Sequence, residues 1–185
     1  MHTRLSPALV PALATMGLAL ALAPLAGQTQ DGTPPLGDAR IAHIAVTANA
    51  IDVEMGELAR ERSADERVRR FAETMIRDHT AVNEQAAALA QRLGVTPADN
   101  PVSRDLRSGA EAARAALESA DGAGFDAAYI QREVEYHAAV LKALDETLIP
   151  GVQNDELRAL LEQARAAIAG HLEQARALRG QLGGA

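Results

Sequence analysis

The sequence contains no cysteine and no tryptophan, and its aromatic residues amount to two Phe and two Tyr. Without thiols it can form no disulfide, iron–sulfur cluster, thiolate nucleophile or Cys-ligated zinc site. With so few aromatic rings, its core has to be assembled from Ala, Leu, Ile and Val. The prominence of Ala and Leu among its 48% apolar residues favours an all-helical class. Positive charge is also in short supply. Lys and Arg number 18 against 25 Asp and Glu, a formal charge of −7 with no basic stripe to offset it, which argues against a nucleic-acid partner. Ser-x-x-Lys, nucleophile-elbow, P-loop and dinucleotide-binding patterns are missing, as is any repeat.

What is present begins with an export leader. Arg4 is followed by the uncharged apolar run PALVPALATMGLALALAPLAG, so residues 1–27 read as a signal peptide or an N-terminal anchor. The cleavage site is imperfect, because Ala21-Leu22-Ala23 is followed by Pro24. Removing Arg4 with the leader takes the charge from −7 to −8. No later stretch is apolar enough to span a bilayer, and the expected location is the periplasm or envelope of a bacterium. Residues 28–37, QTQDGTPPLG, form a Pro/Gly-rich tether, and residues 38–182 form one helical domain.

Four long segments carry an apolar seam with alternating steps of three and four, the pattern of packed bundle helices. The first, about residues 38–62, has Ile41, Ile44, Ala48, Ile51, Met55 and Leu58 on its seam, with Gly56 beside it marking close helix packing. The second spans about residues 64–93, from a Ser63-x-x-Glu66 capping box to Gly94. The third, about residues 125–149, stops at Pro150-Gly151, and the fourth runs from an Asn154 cap to about Leu182. Between the second and third lies a link of about thirty residues, Gly94 to Gly124, with a short helix expected over residues 103–120. Two helical hairpins joined by one long crossover are a ferritin-like four-helix bundle.

Histidine then stands where the seam calls for an apolar residue on three helices, as His79, His137 and His171, while His43 falls on the outer face of the first. Glu54 lies beside the first helix's seam. Measured from helix midpoints at about 1.5 Å per residue, His79 and His137 sit near zero height, and Glu54 and His171 roughly 4–6 Å away. The crossover path sends those two offsets the same way, gathering all four groups within about one turn. Three neutral imidazoles and a carboxylate could ligate one Zn, Cu, Fe or Mn ion, with Asp78, Tyr129 and Glu133 orienting the ligands. The competing reading is a non-enzymatic structural or interaction module whose seam histidines satisfy one another in a polar core. A pH sensor is a third. A di-iron centre is not supported, because Ile76, Val134 and Ile168 stand where Glu-x-x-His motifs need Glu. Whether the protein is an enzyme, and whether it has protein partners or forms a homo-oligomer, stay open.

The segments ANAIDVEMGELA (48–59), RRFAETMIRDHTAVNEQAAALAQRLGV (69–95), GFDAAYIQREVEYHAAV (124–140) and HLEQARAL (171–178) resemble the DUF4142 family of exported bacterial proteins of uncharacterised function. The most specific elements are Met-x-x-Asp-His-Thr at 75–80, Phe-Asp-x-x-Tyr at 125–129 and His-Leu at 171–172. The resemblance implies export and a ferritin-like bundle, and it carries Glu54, Asp78, His79, Phe125, Asp126, Tyr129, His137 and His171 across as family features. It implies no particular reaction.

Overall fold

A computed structural model describes residues 36–183. The leader and most of the tether lie outside the described residues. The chain folds as α1 (Asp38–Arg62), α2 (Glu66–Leu93), α3 (Pro101–Glu118), α4 (Gly122–Ala143), a π-helical turn (Leu144–Leu148), α5 (Ile149–Gly151) and α6 (Asp155–Leu182). No strand occurs among the described residues, and none of their helices is long and apolar enough to cross a membrane.

Local chemistry sets the boundaries. Gly94 ends α2 in the left-handed region at φ 64°, a conformation with no Cβ penalty for glycine. Asn154 caps α6 by accepting from the Leu157 N–H at 2.9 Å. The expected Ser63–Glu66 capping box does not form. Asp65 is the cap, accepting from the Arg67 N–H at 2.8 Å, while Ser63 closes α1. The third seam helix starts earlier than expected, at Gly122, and its end is not plain α-helix. Ile149 N–H donates to the Leu144 carbonyl five residues back. The cause is Pro150, which lacks an N–H and whose ring crowds the carbonyl four residues before it, so the last turns widen.

The crossover is α3, begun by Asn100 accepting from the Ser103 N–H with Pro101 in the first turn. It packs across α1, and its end is held by Arg62, whose guanidinium donates to the carbonyls of Glu118 (2.8 Å) and Ala120 (2.7 Å) and lies over the Phe125 ring. His43, expected on an outer face, is therefore covered and hydrogen-bonds Ser103 Oγ at 2.9 Å. The return path makes α2 and α4 parallel, with α1 and α6 antiparallel to both. This is the ferritin-like topology expected from the seams.

Two apolar clusters fill the bundle. The upper one centres on Met55, Phe71, Met75, Phe125, Tyr129 and Ile130, and the lower one on Ile41, Leu89, Leu148, Leu157, Leu161 and Ile168. His79, His137 and His171 form the layer between them. Gly56 lets α1 and α2 approach closely, since a Cβ there would sit 3.0 Å from Ile76 Cγ1 and 3.1 Å from the Ala72 carbonyl oxygen.

Candidate metal centre

The three seam histidines converge. Their ring centroids are 5.2 to 5.6 Å apart, and one nitrogen from each lies within 4.8 Å of one from the other two. All three side chains are buried. Each ring is held from behind by an acceptor on a different element. His79 Nδ1 meets Asn49 Oδ1 on α1 at 2.7 Å, His137 Nδ1 meets the Glu133 carbonyl oxygen at 2.9 Å, and His171 Nε2 meets Asp78 Oδ2 on α2 at 3.0 Å. A carbonyl, an amide oxygen or a carboxylate can only accept, so the bonded nitrogen carries the hydrogen in each ring. The opposite nitrogens, His79 Nε2, His137 Nε2 and His171 Nδ1, are all buried without a partner.

Burial, reinforced by the neighbouring imidazoles His137 and His171, pushes the His79 pKa down to about 3. Burial also lowers that of His171, against the pull of Asp78. These two rings are therefore neutral at physiological pH, the state in which imidazole binds metal. Burial raises the Asp78 carboxyl, but hydrogen bonds from Arg77 and His171 outweigh it and hold the group below its ordinary range.

Beside the imidazoles lies a charged layer. Asp52 on α1 is buried, with Oδ2 3.5 Å from His79 Nε2. Arg132 lies between it and the buried Glu133, 3.5 Å from Asp52 Oδ1 and hydrogen-bonded to Glu133 Oε1. The guanidinium also stacks over the Tyr136 ring, whose hydroxyl donates to the Ala48 carbonyl at 3.2 Å. Burial raises the Glu133 pKa, opposed by Arg132. Asp52 and Glu133 share this one guanidinium.

The expected ligand set is thus gathered in part. His79, His137 and His171 come together, and Glu54 does not join them: it is exposed and pairs with Arg107 of α3 at 3.4 Å. The reason is angular. The buried arc of α1 includes Asn49, Asp52, Gly56 and Ala59 as well as the large apolar seam, and Glu54 lies outside it. Asp78 orients His171 across the helix pair rather than its sequence neighbour His79. Glu133 holds His137 through its backbone carbonyl, and its side chain serves the charged layer. Tyr129 is packed against Phe71 and Phe125 with its hydroxyl buried and unpartnered, above the imidazoles rather than among them. Asn49, Asp52 and Arg132 were missed. The signal for the α1 pair was two polar residues one turn apart, on the same side as Ala48 and Ala59.

The fold and this layer define a ferritin-like helical bundle with a buried three-histidine cluster that could hold a metal ion. The chain belongs to the DUF4142 family, described as a domain of unknown function, whose sequence model matches residues 23–178. No curated protein matches it. Among solved structures it is similar to a DUF305 protein of Streptomyces coelicolor, provisionally described as secreted. The two are 16% identical over 79% of this chain and 93% of that one, with a TM-score of 0.67. At that identity the likeness concerns the fold.

Proposed function

We propose that this protein binds one divalent transition-metal ion through His79, His137 and His171, with Asp52, which lies 3.5 Å from His79 Nε2 and clusters with Glu133 and His137, as the adjoining carboxylate. The observation that carries the reading is that three buried imidazoles converge, each with one nitrogen partnerless while the opposite nitrogen is engaged by an acceptor. Metal-ligating imidazoles are held in this way, their second N–H given to a carbonyl or carboxylate. A hydrogen-bonded polar core would spend its lone pairs on donors, and unpaired buried acceptors cost about 1–3 kcal/mol each. Two ligands on a tetrahedral ion at about 2.1 Å are separated by about 3.4 Å. Asp52 Oδ2 stands at nearly that separation, 3.5 Å, from His79 Nε2.

Nitrogen and oxygen donors suit Zn(II), Cu(II), Fe(II) and Mn(II), and no thiolate biases the choice. Taken with the apolar leader, the site supports an exported protein that handles metal in the bacterial envelope. The test is elemental analysis of the mature protein, made without a His-tag or chelator in metal-supplemented cells. About one equivalent of a single metal is expected, and its loss from a His79→Ala/His137→Ala variant that still gives a helical spectrum. Absence of metal, with no uptake on titration with zinc, copper, iron or manganese, would sink the reading in favour of a polar structural core.

A further inference from the structure

The two halves of the bundle are not packed alike. Phe71, Phe125 and Tyr129 all lie in the upper cluster, and Tyr136 lies level with the histidines. Below that layer the lining is mostly aliphatic, much of it Ala, with Asn49, Asn83 and Thr147 among the exceptions. The result is a cavity of about 1650 Å³. Its lining extends from Leu36 and Gly37 to Ala48, Asn49 and Ile168 under the imidazoles. Residues 38–49 of α1 alone span about 16 Å of helix at about 1.5 Å per residue. Protein interiors hold few voids larger than a water, and small-molecule sites commonly measure about 300–1,000 Å³. A recess this large and mostly apolar, with the lower core as its floor, has room for a chain-like ligand.

Its inner end is polar in a particular way. Asn49 and Asn83 line it, the Asn49 amide oxygen already taken by His79. Asn83 Oδ1 is buried with no partner, so it calls for a donor. Lys142, a basic residue of the lining, is already paired with Glu146, so an anionic head group would find no free cation there. From this we infer that the chamber binds one neutral long-chain amphiphile, its hydrocarbon tail along the lower half of the bundle and a hydroxyl head donating to Asn83. The inference does not depend on metal binding, because the wall of the chamber is distinct from the three imidazole nitrogens.

The test uses the purified mature protein and displacement of the fluorescent probe N-phenyl-1-naphthylamine, with monoolein, oleate and methyl oleate as competitors. Monoolein should displace the probe with 1:1 stoichiometry, and methyl oleate, which has no hydroxyl, should be about 3- to 10-fold weaker, the worth of one hydrogen bond. Asn83→Leu should erase that difference while leaving tail binding intact. Ala86→Phe, which places a ring in the chamber, should abolish displacement without lowering the melting temperature or the metal content. Three results would overturn the inference: no saturable displacement, oleate binding as well as or better than monoolein, or unchanged monoolein preference in Asn83→Leu. Should Ala86→Phe fail to fold, the competitor series on the unmutated protein and on Asn83→Leu decides alone.

Discussion

Acid should destabilise the metal-free protein through His79, and the size of the effect can be worked out. In the unfolded chain this imidazole takes a proton near its ordinary pKa of 6.5, whereas in the fold burial and the two neighbouring rings hold it neutral down to about 3. Below pH 6.5 the unfolded state therefore binds a proton that the native state refuses. Stability is complete above pH 6.5 and falls as pH drops, until the native ring also protonates near pH 3. At about 1.36 kcal/mol per unit, the whole window amounts to about 4–5 kcal/mol, and the part between pH 6.5 and 4.5 to about 2–3 kcal/mol. That is a large share of the ~5–15 kcal/mol that holds a typical domain together. His171 and Asp78 act in the same direction. The raised pKa of Glu133 acts in the opposite one, because its native carboxyl takes up a proton before its unfolded counterpart does.

The assay is urea unfolding in EDTA at a series of pH values from 7.5 to 4.5, on the unmutated protein and on His79→Asn. The Asn amide N–H can take over the bond to Asn49 without titrating, so the contributions of Glu133, His171 and Asp78 largely cancel in the difference. The unmutated protein should lose about 2–3 kcal/mol more than the variant across that range. Parallel curves would refute the claim that His79 is held neutral by its surroundings. Saturating zinc should flatten the wild-type curve above the pH at which protons displace the ion, and should leave His79→Asn unaffected.

Four further substitutions test separate parts of the structure. Asp52→Asn should weaken metal binding at least 10-fold by competition titration, while Glu54→Gln, facing Arg107 in solvent, should leave it unchanged; equal losses would return Glu54 to the site. Arg132→Met leaves Asp52 and Glu133 without their shared guanidinium and should cost about 3–5 kcal/mol in urea unfolding. Gly56→Ala should also destabilise. Its Cβ would press on the Ala72 carbonyl and Ile76, an overpacking cost of about 1–3 kcal/mol against the roughly 1 kcal/mol that Ala gains in a helix, so a higher melting temperature would contradict the close approach.

Helix periodicity made the fold readable because three-and-four spacing reports only which face is buried, and in a bundle that nearly suffices. Gly94 and Asn154 marked ends by local chemistry that tertiary contacts do not override. The Ser63–Glu66 pattern failed because Asp65, two residues nearer the helix, competes for the same N–H groups. Length of the crossover decided topology, since only a long link can return α4 alongside α2.

The site was readable to the extent that it breaks the apolar seam. A histidine at a seam position is conspicuous on any helix, and three at one height predict convergence once the topology is fixed. Asp52 and Asn49 break no seam. They lie at the side of α1's buried arc, among the small residues Ala48, Gly56 and Ala59, where apolar counting gives little weight. Glu54 and Asp52 flank the large seam residues from opposite sides, and what separates them is the neighbour each side meets: Arg132 and the imidazoles for Asp52, solvent and Arg107 for Glu54. Such a choice is made by packing between helices, and one helix's pattern holds no record of it. The recess in the lower half follows the opposite logic. Four aromatic rings serve the whole chain, and once Phe71, Phe125 and Tyr129 fill the upper cluster and Tyr136 the histidine layer, mostly aliphatic side chains are left for the rest. The scarcity visible in the composition thus becomes, in three dimensions, a space beneath the imidazoles.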